Sequence, residues 1–446
     1  MDYNFAGEII TRDSAKYEES RLIWNRSINT LPKGIIYCTN TMDVCMAINC
    51  LRSSGERFRI GTGCHNSLGF CTDNDVFVIN LSRIVQCEYN SQYHMIYSGC
   101  GANCQSICST LSAHNCFFPG ADPFSCVGVW SMCGGIGCSC RHFGLGCDFL
   151  AQVEMVDYRG QIIIANGQQN QDLFWAIKGA GAGNFGIVTG LTYFLPPPVD
   201  NICYFEMVLN QCCRSSMIEF LEVWQDWIIE VDSNINCQAK FCNTFHEGKY
   251  IFAFGFSYLS VEATKVQLGR FTSVKGLQIH YESKTYLSIM NSHKSFYSSF
   301  ERYVGMGRFS YDRYEMKDIE SIVDMIYGRR AEGAIYTSIT LTGMGGFVSN
   351  YRNSDTAFFY RDAKYLMSVK SQWFDETYRP YNDVWMQYQY DYISSLTRGA
   401  YINQPYLGYQ NYENEYYGEN IYWLKQVKAK YDPYGFFQFP QCIKLE

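Results

Sequence analysis

Asp172-Leu173-Phe174-Trp175-Ala176-Ile177-Lys178-Gly179-Ala180-Gly181-Ala182-Gly183-Asn184-Phe185-Gly186-Ile187-Val188-Thr189 reads as three pieces in a fixed order. Residues 172–178 space their apolar side chains as a helix does, the glycines interrupt it, and Ile187 opens a β-branched run continuing through Leu195. A dinucleotide fingerprint needs the opposite order, strand then glycines then helix, so that a helix N-terminus meets the pyrophosphate. The stretch therefore argues against a doubly wound nucleotide fold, and no Walker-type lysine motif occurs elsewhere.

Just beyond, Pro196-Pro197-Pro198 stops regular structure and marks a domain boundary. Residues 1–197 alternate short β-rich runs with amphipathic helices and glycine turns, an α+β unit. Residues 198–400 shift towards Tyr, Phe, Ser and Met. Strand-like Tyr250–Phe256 and helix-like Met217–Trp224 predict a second α+β domain built on an antiparallel sheet. Residues 401–446 form a C-terminal segment with a helix over Asn420–Lys428 and an aromatic end, Phe436-Phe437-Gln438-Phe439-Pro440. A chain of 446 residues exceeds what one core supports, so at least two domains are expected.

The net charge of −7 with scattered Lys and Arg excludes nucleic acid or an anionic membrane as the main partner. No apolar run reaches the length of a membrane span, and Met1-Asp2-Tyr3-Asn4 does not open a signal peptide, so a soluble cytoplasmic protein is expected. The 21 cysteines do not pair into close doublets facing each other, so no metal site is expected. Cys45 and Cys50 read as small fillers on a core helix, and Cys100, Cys104 and Cys108, spaced by four, as one helical stripe.

Ligand chemistry points to the glycine segments. In Arg59-Ile60-Gly61-Thr62-Gly63-Cys64-His65-Asn66 the small residues admit a close anion and His65 stands beside it. The run Asp75–Leu81 follows as a half-buried strand. Phe118-Pro119-Gly120-Ala121-Asp122 and Cys133-Gly134-Gly135-Ile136-Gly137 join residues 179–186 as further loops. Four such segments in one domain suit a large anionic cofactor laid across several loops.

These residues resemble the FAD-linked oxidases of the berberine-bridge-enzyme type, in the vanillyl-alcohol-oxidase superfamily with PCMH-type FAD binding. The likeness runs nearly end to end: Gly61–Gly69 then Ile79-Asn80-Leu81-Ser82-Arg83, Gly134–Asp148, residues 172–189, Thr356–Asp362, Tyr417-Gly418-Glu419-Asn420, and Tyr431–Gln441. It implies a two-lobed fold in which residues 1–197 and the returning tail bind FAD while the middle covers the substrate. His65 matches the histidine bonded to the flavin 8α-methyl. Cofactor contacts fall on Gly61, Thr62, Gly63, Cys64, Asn66 and Gly69; on Pro119, Gly120, Ala121, Val127 and Gly128; on Gly134, Gly135 and Gly137; on Asn184, Gly186, Ile187 and Val188; and on Tyr401 and Asn403. Many relatives attach the flavin a second time through a cysteine. Here Cys126 stands two positions late, so attachment through His65 alone is the expectation.

Flavin oxidation of an alcohol or phenol needs a base for the departing proton. Relatives use a tyrosine where this chain has Gln404, in Tyr401-Ile402-Asn403-Gln404-Pro405-Tyr406. An amide cannot accept that proton. On a strand Gln404 shares a face with Tyr406, which makes Tyr406 the nearest replacement. Otherwise Gln404 orients the substrate, with a base from the middle domain or none. Aromatic residues, 17% of the chain, suit a pocket that stacks on a sugar or an aromatic metabolite. The expected activity is hydride removal from a sugar, phenolic or alkaloid-like donor, with O2 reduced to H2O2. A flavin dehydrogenase and a silent flavin-binding protein stand as alternatives.

Overall fold

The computed structural model describes residues 4–120, 125–293 and 301–445. They form three sheets with helices packed around them, an α+β architecture. The first sheet has the strand order Glu8–Thr11, Gly34–Tyr37, Phe77–Asn80, Phe58–Gly61, with the last three strands parallel. The second has five antiparallel strands, with Ile187–Phe194 at its centre between Met95–Gly99 and Leu150–Val156. In the third, seven antiparallel strands run from Ile202 to Trp373 in sequence.

The run expected to be half-buried, Asp75–Leu81, forms a shorter strand, Phe77–Asn80, with Val78, Ile79 and Asn80 all buried. Parallel neighbours lie on both sides. Val78 packs with Ile10, Tyr17 and Ile35 on one face, while Ile79 joins the main core on the other. Parallel strands covered on both faces lose the alternating pattern.

The cysteine stripes also need correction. Asn103 caps the helix Cys104–Ser112 by accepting from Ser106 N, so Cys104 and Cys108 lie on the helix and Cys100 precedes it. On the helix Thr41–Ser54, Cys45 is buried but Cys50 is exposed, because five residues carry it well round the helix axis. Most of the cysteines are buried, and no disulfide forms among the described residues.

Register explains the seven-stranded sheet. Phe205, Met207, Ala239, Phe241, Ala253, Ile339, Leu341, Met367, Val369, Val304 and Met306 share one buried face. Helices Arg214–Glu230, Met316–Tyr327 and Arg379–Leu396 cover it. Met316–Tyr327 buries Ile319, Ile322, Val323 and Ile326 at helical spacing, each stabilising by about 1.5–3 kcal/mol. The opposite face carries Gln238, Lys240, Thr340, Ser368, Lys370 and Tyr303 with Gly305 and Gly307.

The C-terminal chain returns to the first two sheets. Helix Ile421–Tyr431 lies against helix Gln171–Ile177, joined by Lys430 Nζ to Asp172 at 2.6 Å and the Tyr431 hydroxyl donating to the same carboxylate at 2.9 Å. On its inner side Lys428 is 1% exposed and Asp432 0%. Lys428 Nζ donates to Asp432 Oδ2 at 2.6 Å, Asn184 O at 2.6 Å and Phe437 O at 3.0 Å. Asp432 also accepts from the backbone N–H of Phe436 and Phe437. Lys428→Met strands a buried carboxylate, and equilibrium denaturation should show a loss of about 3–5 kcal/mol.

Candidate active site

The loop after the strand Phe58–Gly61 leaves the C-terminal end of the parallel strands, where open α/β sheets place ligands. The Gly61 carbonyl accepts from Leu81 N at 2.7 Å, which fixes where the loop departs. Cys64 then adopts φ +53°, and the chain turns so that His65 is exposed. The His65 ring packs against Trp24 with centroids 4.8 Å apart, and its carbonyl accepts from the Tyr303 hydroxyl at 3.3 Å.

His65 borders a long cavity whose empty space, including its open mouth, is about 1320 Å³. Three groups of residues line it: Thr62, Gly63, Cys64 and Asn66; Ser125, Cys126, Val129, Trp130 and Cys133; and Gly181, Ala182, Gly183 and Asn184. Ile402, Asn403, Tyr416 and Phe437–Phe439 line it as well. The Lys428 knot holds two parts of this lining, since it grips Asn184 and Phe437 together. Tyr416 is fixed by donating to Gln441 Oε1 at 2.5 Å.

Of the sequence-derived cofactor residues, Thr62, Gly63, Cys64, His65, Asn66, Asn184 and Asn403 line this cavity. Others are constrained by packing as well. A Cβ on Gly69 would lie 2.6 Å from Ile28, on Gly120 2.3 Å from Cys104 Sγ, on Gly128 2.9 Å from Leu191, and on Gly186 2.6 Å from Met155. Gly134 and Gly135 have φ +108° and +86° against Phe358 and Gly146. Tyr401 is buried, with its hydroxyl accepting from Ile136 N at 3.4 Å. Gly61, Pro119, Val127, Gly137, Ile187 and Val188 are not among the lining residues, and Ala121 lies outside the described residues.

The tyrosine expected as base is placed differently. Residues 401–406 form a turn, closed by Gln404 N donating to Tyr401 O at 2.8 Å, so strand parity does not apply. The Tyr406 hydroxyl donates to Gln387 Oε1 at 2.8 Å, and neither Tyr406 nor Gln404 borders the cavity. Burial pushes the Tyr406 hydroxyl up to about 12. Gln404 instead lies on the polar sheet face: Ser368 Oγ donates to its Oε1 at 2.6 Å, and a Cβ on Gly307 would sit 2.1 Å from that oxygen. Nearby, Lys370 pairs with Glu301 and holds Nζ 4.5 Å from the Tyr303 ring centroid.

Sequence reasoning assigned no role to Trp130, Cys133, Tyr416 or Phe439, all of which line the cavity. Cys133 is buried there, and burial pushes its thiol up to about 12. Phe439 stands in the aromatic tail, a usable signal; Trp130 follows Cys126 by one helical turn. The two facing loops are almost bare of side chains. A Cβ on Gly183 would only graze Ile60 at 3.5 Å and Phe439 at 3.6 Å, while one on Gly63 would meet Cys126 Sγ at 2.7 Å and His65 Nε2 at 3.6 Å. Such walls suit close contact with a long polar ligand.

Comparison with known proteins gives the ligand a class. An FAD binding domain family model matches residues 32–166, and the model described as berberine and berberine like matches residues 400–444. An uncharacterized FAD-linked oxidoreductase YgaK of Bacillus subtilis is 28% identical, over 98% of this chain and 96% of its own. Chitooligosaccharide oxidase of Gibberella zeae is 25% identical, over 97% and 91%. The solved glucooligosaccharide oxidase of Acremonium strictum, described with 6-S-cysteinyl, 8α-N1-histidyl FAD, superposes with a TM-score of 0.88 at 19% identity. That likeness covers 99% of this chain and 97% of the other, and shows a shared fold.

Gly179 joins the helix to the facing loop at φ +130°, where a Cβ would lie 2.2 Å from the Phe358 backbone nitrogen. Gly179→Ala should cost at least about 2 kcal/mol, read by thermal or chemical denaturation, because backbone cannot yield as a side-chain tip can.

Proposed function

The chain belongs to the berberine-bridge-enzyme-like FAD-linked oxidoreductases, and from that premise we propose an oxidase that carries its flavin on His65 and acts on a small hydroxyl-bearing donor. The observation that carries this reading is His65 itself, exposed at the wall of a cavity formed by the glycine loops. Bound FAD supplies a two-electron acceptor for hydride from the donor carbon and passes the electrons to O2, giving H2O2. In this reading residues 1–197 and 401–446 form the FAD-binding unit and 198–400 the substrate unit. The bare loops at Thr62–Gly63 and Gly181–Gly183 admit the cofactor, and Trp24 fixes the His65 ring.

The donor approaches from the polar sheet face. Tyr303, the middle-domain tyrosine that bonds the His65 carbonyl, marks this side. Burial raises its hydroxyl above the usual range, which makes it a donor and not a resting base. With Oε1 taken by Ser368, Gln404 presents its amide N–H groups and orients a substrate oxygen. A carbohydrate fits these groups, and the curated relatives include oxidases named for oligosaccharides.

A second attachment has its own support, because Cys126 Sγ lies beside Gly63 and close to the His65 ring. Acid precipitation separates the cases. The wild-type pellet should stay yellow, and His65→Ala should release its flavin to the supernatant with the fold intact by circular dichroism. Flavin held by His65→Ala but released by the additional Cys126→Ala change would establish two-point attachment. Peroxide release on a panel of oligosaccharides, phenols and alkaloids should be highest with a saccharide. Flavin bleaching under substrate without peroxide would assign a dehydrogenase, and no bleaching with any donor would favour a silent binder.

A further inference from the structure

Beyond His65 the chain folds back tightly. Asn66 Oδ1 accepts from the backbone N–H of Leu68 at 3.0 Å and of Phe70 at 3.2 Å. Gly69 N donates to Asn66 O at 3.2 Å and Thr72 N to Gly69 O at 3.0 Å, so two turns follow in succession. They return Cys71 to the neighbourhood of Cys64, whose Sγ lies 3.7 Å from Thr62 O. The point where Gly61 would carry a Cβ lies 3.0 Å from Cys64 Sγ and 3.9 Å from Cys71 Cβ. Both cysteines line the same cavity as His65, Cys64 half-buried and Cys71 buried.

Cys64 also occupies a backbone conformation that favours glycine, at φ +53°, which costs a side-chain-bearing residue about 1–2 kcal/mol. A cysteine held there against a second cysteine, next to the flavin-bearing position, has a chemical use. We propose that Cys64 and Cys71 form a reversible dithiol–disulfide pair, a modification site that hydrogen peroxide oxidises within the cavity. The inference rests on the oxidase reading only for the source of the peroxide.

The half-buried Cys64 is the attacking sulfur. Its thiolate attacks one peroxide oxygen, the O–O bond breaks, and the released hydroxide takes up a proton as water, leaving a sulfenic acid. Cys71 then attacks the sulfenic sulfur, the S–S bond forms, and a second water departs. Two thiols and one peroxide become one disulfide and two waters, the sulfurs giving up two electrons. The neighbouring Cys71 thiol and burial hold the Cys64 thiol well above its ordinary range. Little thiolate exists at neutral pH, so the pair resists brief exposure and closes under sustained peroxide.

The purified full chain, with the flavin it carries, is incubated with added H2O2 at neutral and mildly alkaline pH, alkylated, and digested with trypsin without reductant. Cleavage after Arg59 and Arg83 leaves both cysteines and His65 on one peptide. The expected product is that peptide two hydrogens lighter and closed to alkylation until reduced, forming about tenfold faster per pH unit below the Cys64 pKa. Cys71→Ser should divert Cys64 to sulfinic acid. Wild-type mapping alone overturns the proposal if Cys64 becomes sulfinic or sulfonic while Cys71 still alkylates, if either links to another thiol, or if exposed Cys213 oxidises and the pair does not. Flavin mass on the same peptide reports the His65 attachment separately, so either idea can fail without the other.

Discussion

The cavity depends on one buried charge pair. Lys428 and Asp432 lie out of water, and such a pair is tolerated only when every remaining donor and acceptor finds a partner. Here the partners are Asn184 O and Phe437 O for the ammonium, and the N–H groups of Phe436 and Phe437 for the carboxylate. Satisfying the charges therefore requires the glycine loop and the C-terminal tail to meet at one place. Asn184 reinforces the knot, donating to Ala180 O and accepting from Ile443 N. Two walls of the site are fixed relative to each other by electrostatics far from its chemistry.

The opposite side is set by the pleat of the seven-stranded sheet. Because side chains alternate, the helices that cover the apolar face leave Tyr303, Ser368 and Lys370 together on the other. Gly305 and Gly307 clear space on that face, and Gln404 fills the space at Gly307. The turn that carries Gln404 is itself tied to the strand, through Tyr401 N donating to Gly307 O at 2.9 Å. The sheet thus positions the C-terminal segment as well as its own polar face.

The order helix, glycines, strand was legible because it is local: Gln171–Ile177 and Ile187–Phe194 form where periodicity put them. His65 was legible for the same reason, as a histidine among residues too small to bury it. The glycines carry a second constraint. Gly69, Gly128 and Gly186 owe their identity to Ile28, Leu191 and Met155, neighbours distant in sequence. Trp130 and Tyr416 reach the cavity only through tertiary folding, so no local pattern marked them as lining, whereas Phe439 stands in the aromatic tail. Parity failed at Tyr406 because a local turn, closed by Gln404 N donating to Tyr401 O, interrupts the extended chain between them.

Residue 404 shows how one exchange changes a site's hydrogen-bond economy. A tyrosine offers an oxygen that can gain or lose a proton, whereas an amide offers fixed donors and one fixed acceptor. Ser368 Oγ donates to that oxygen at 2.6 Å, and the missing side chain of Gly307 leaves the space the amide occupies. The amide N–H groups and the second lone pair of the oxygen are left for other partners. Under the proposed function such a group would favour a substrate oxygen that accepts hydrogen, the proton leaving through water or through a group on the substrate itself. The knot at Lys428 and the pleat of the sheet hold their geometry through contacts that do not involve residue 404.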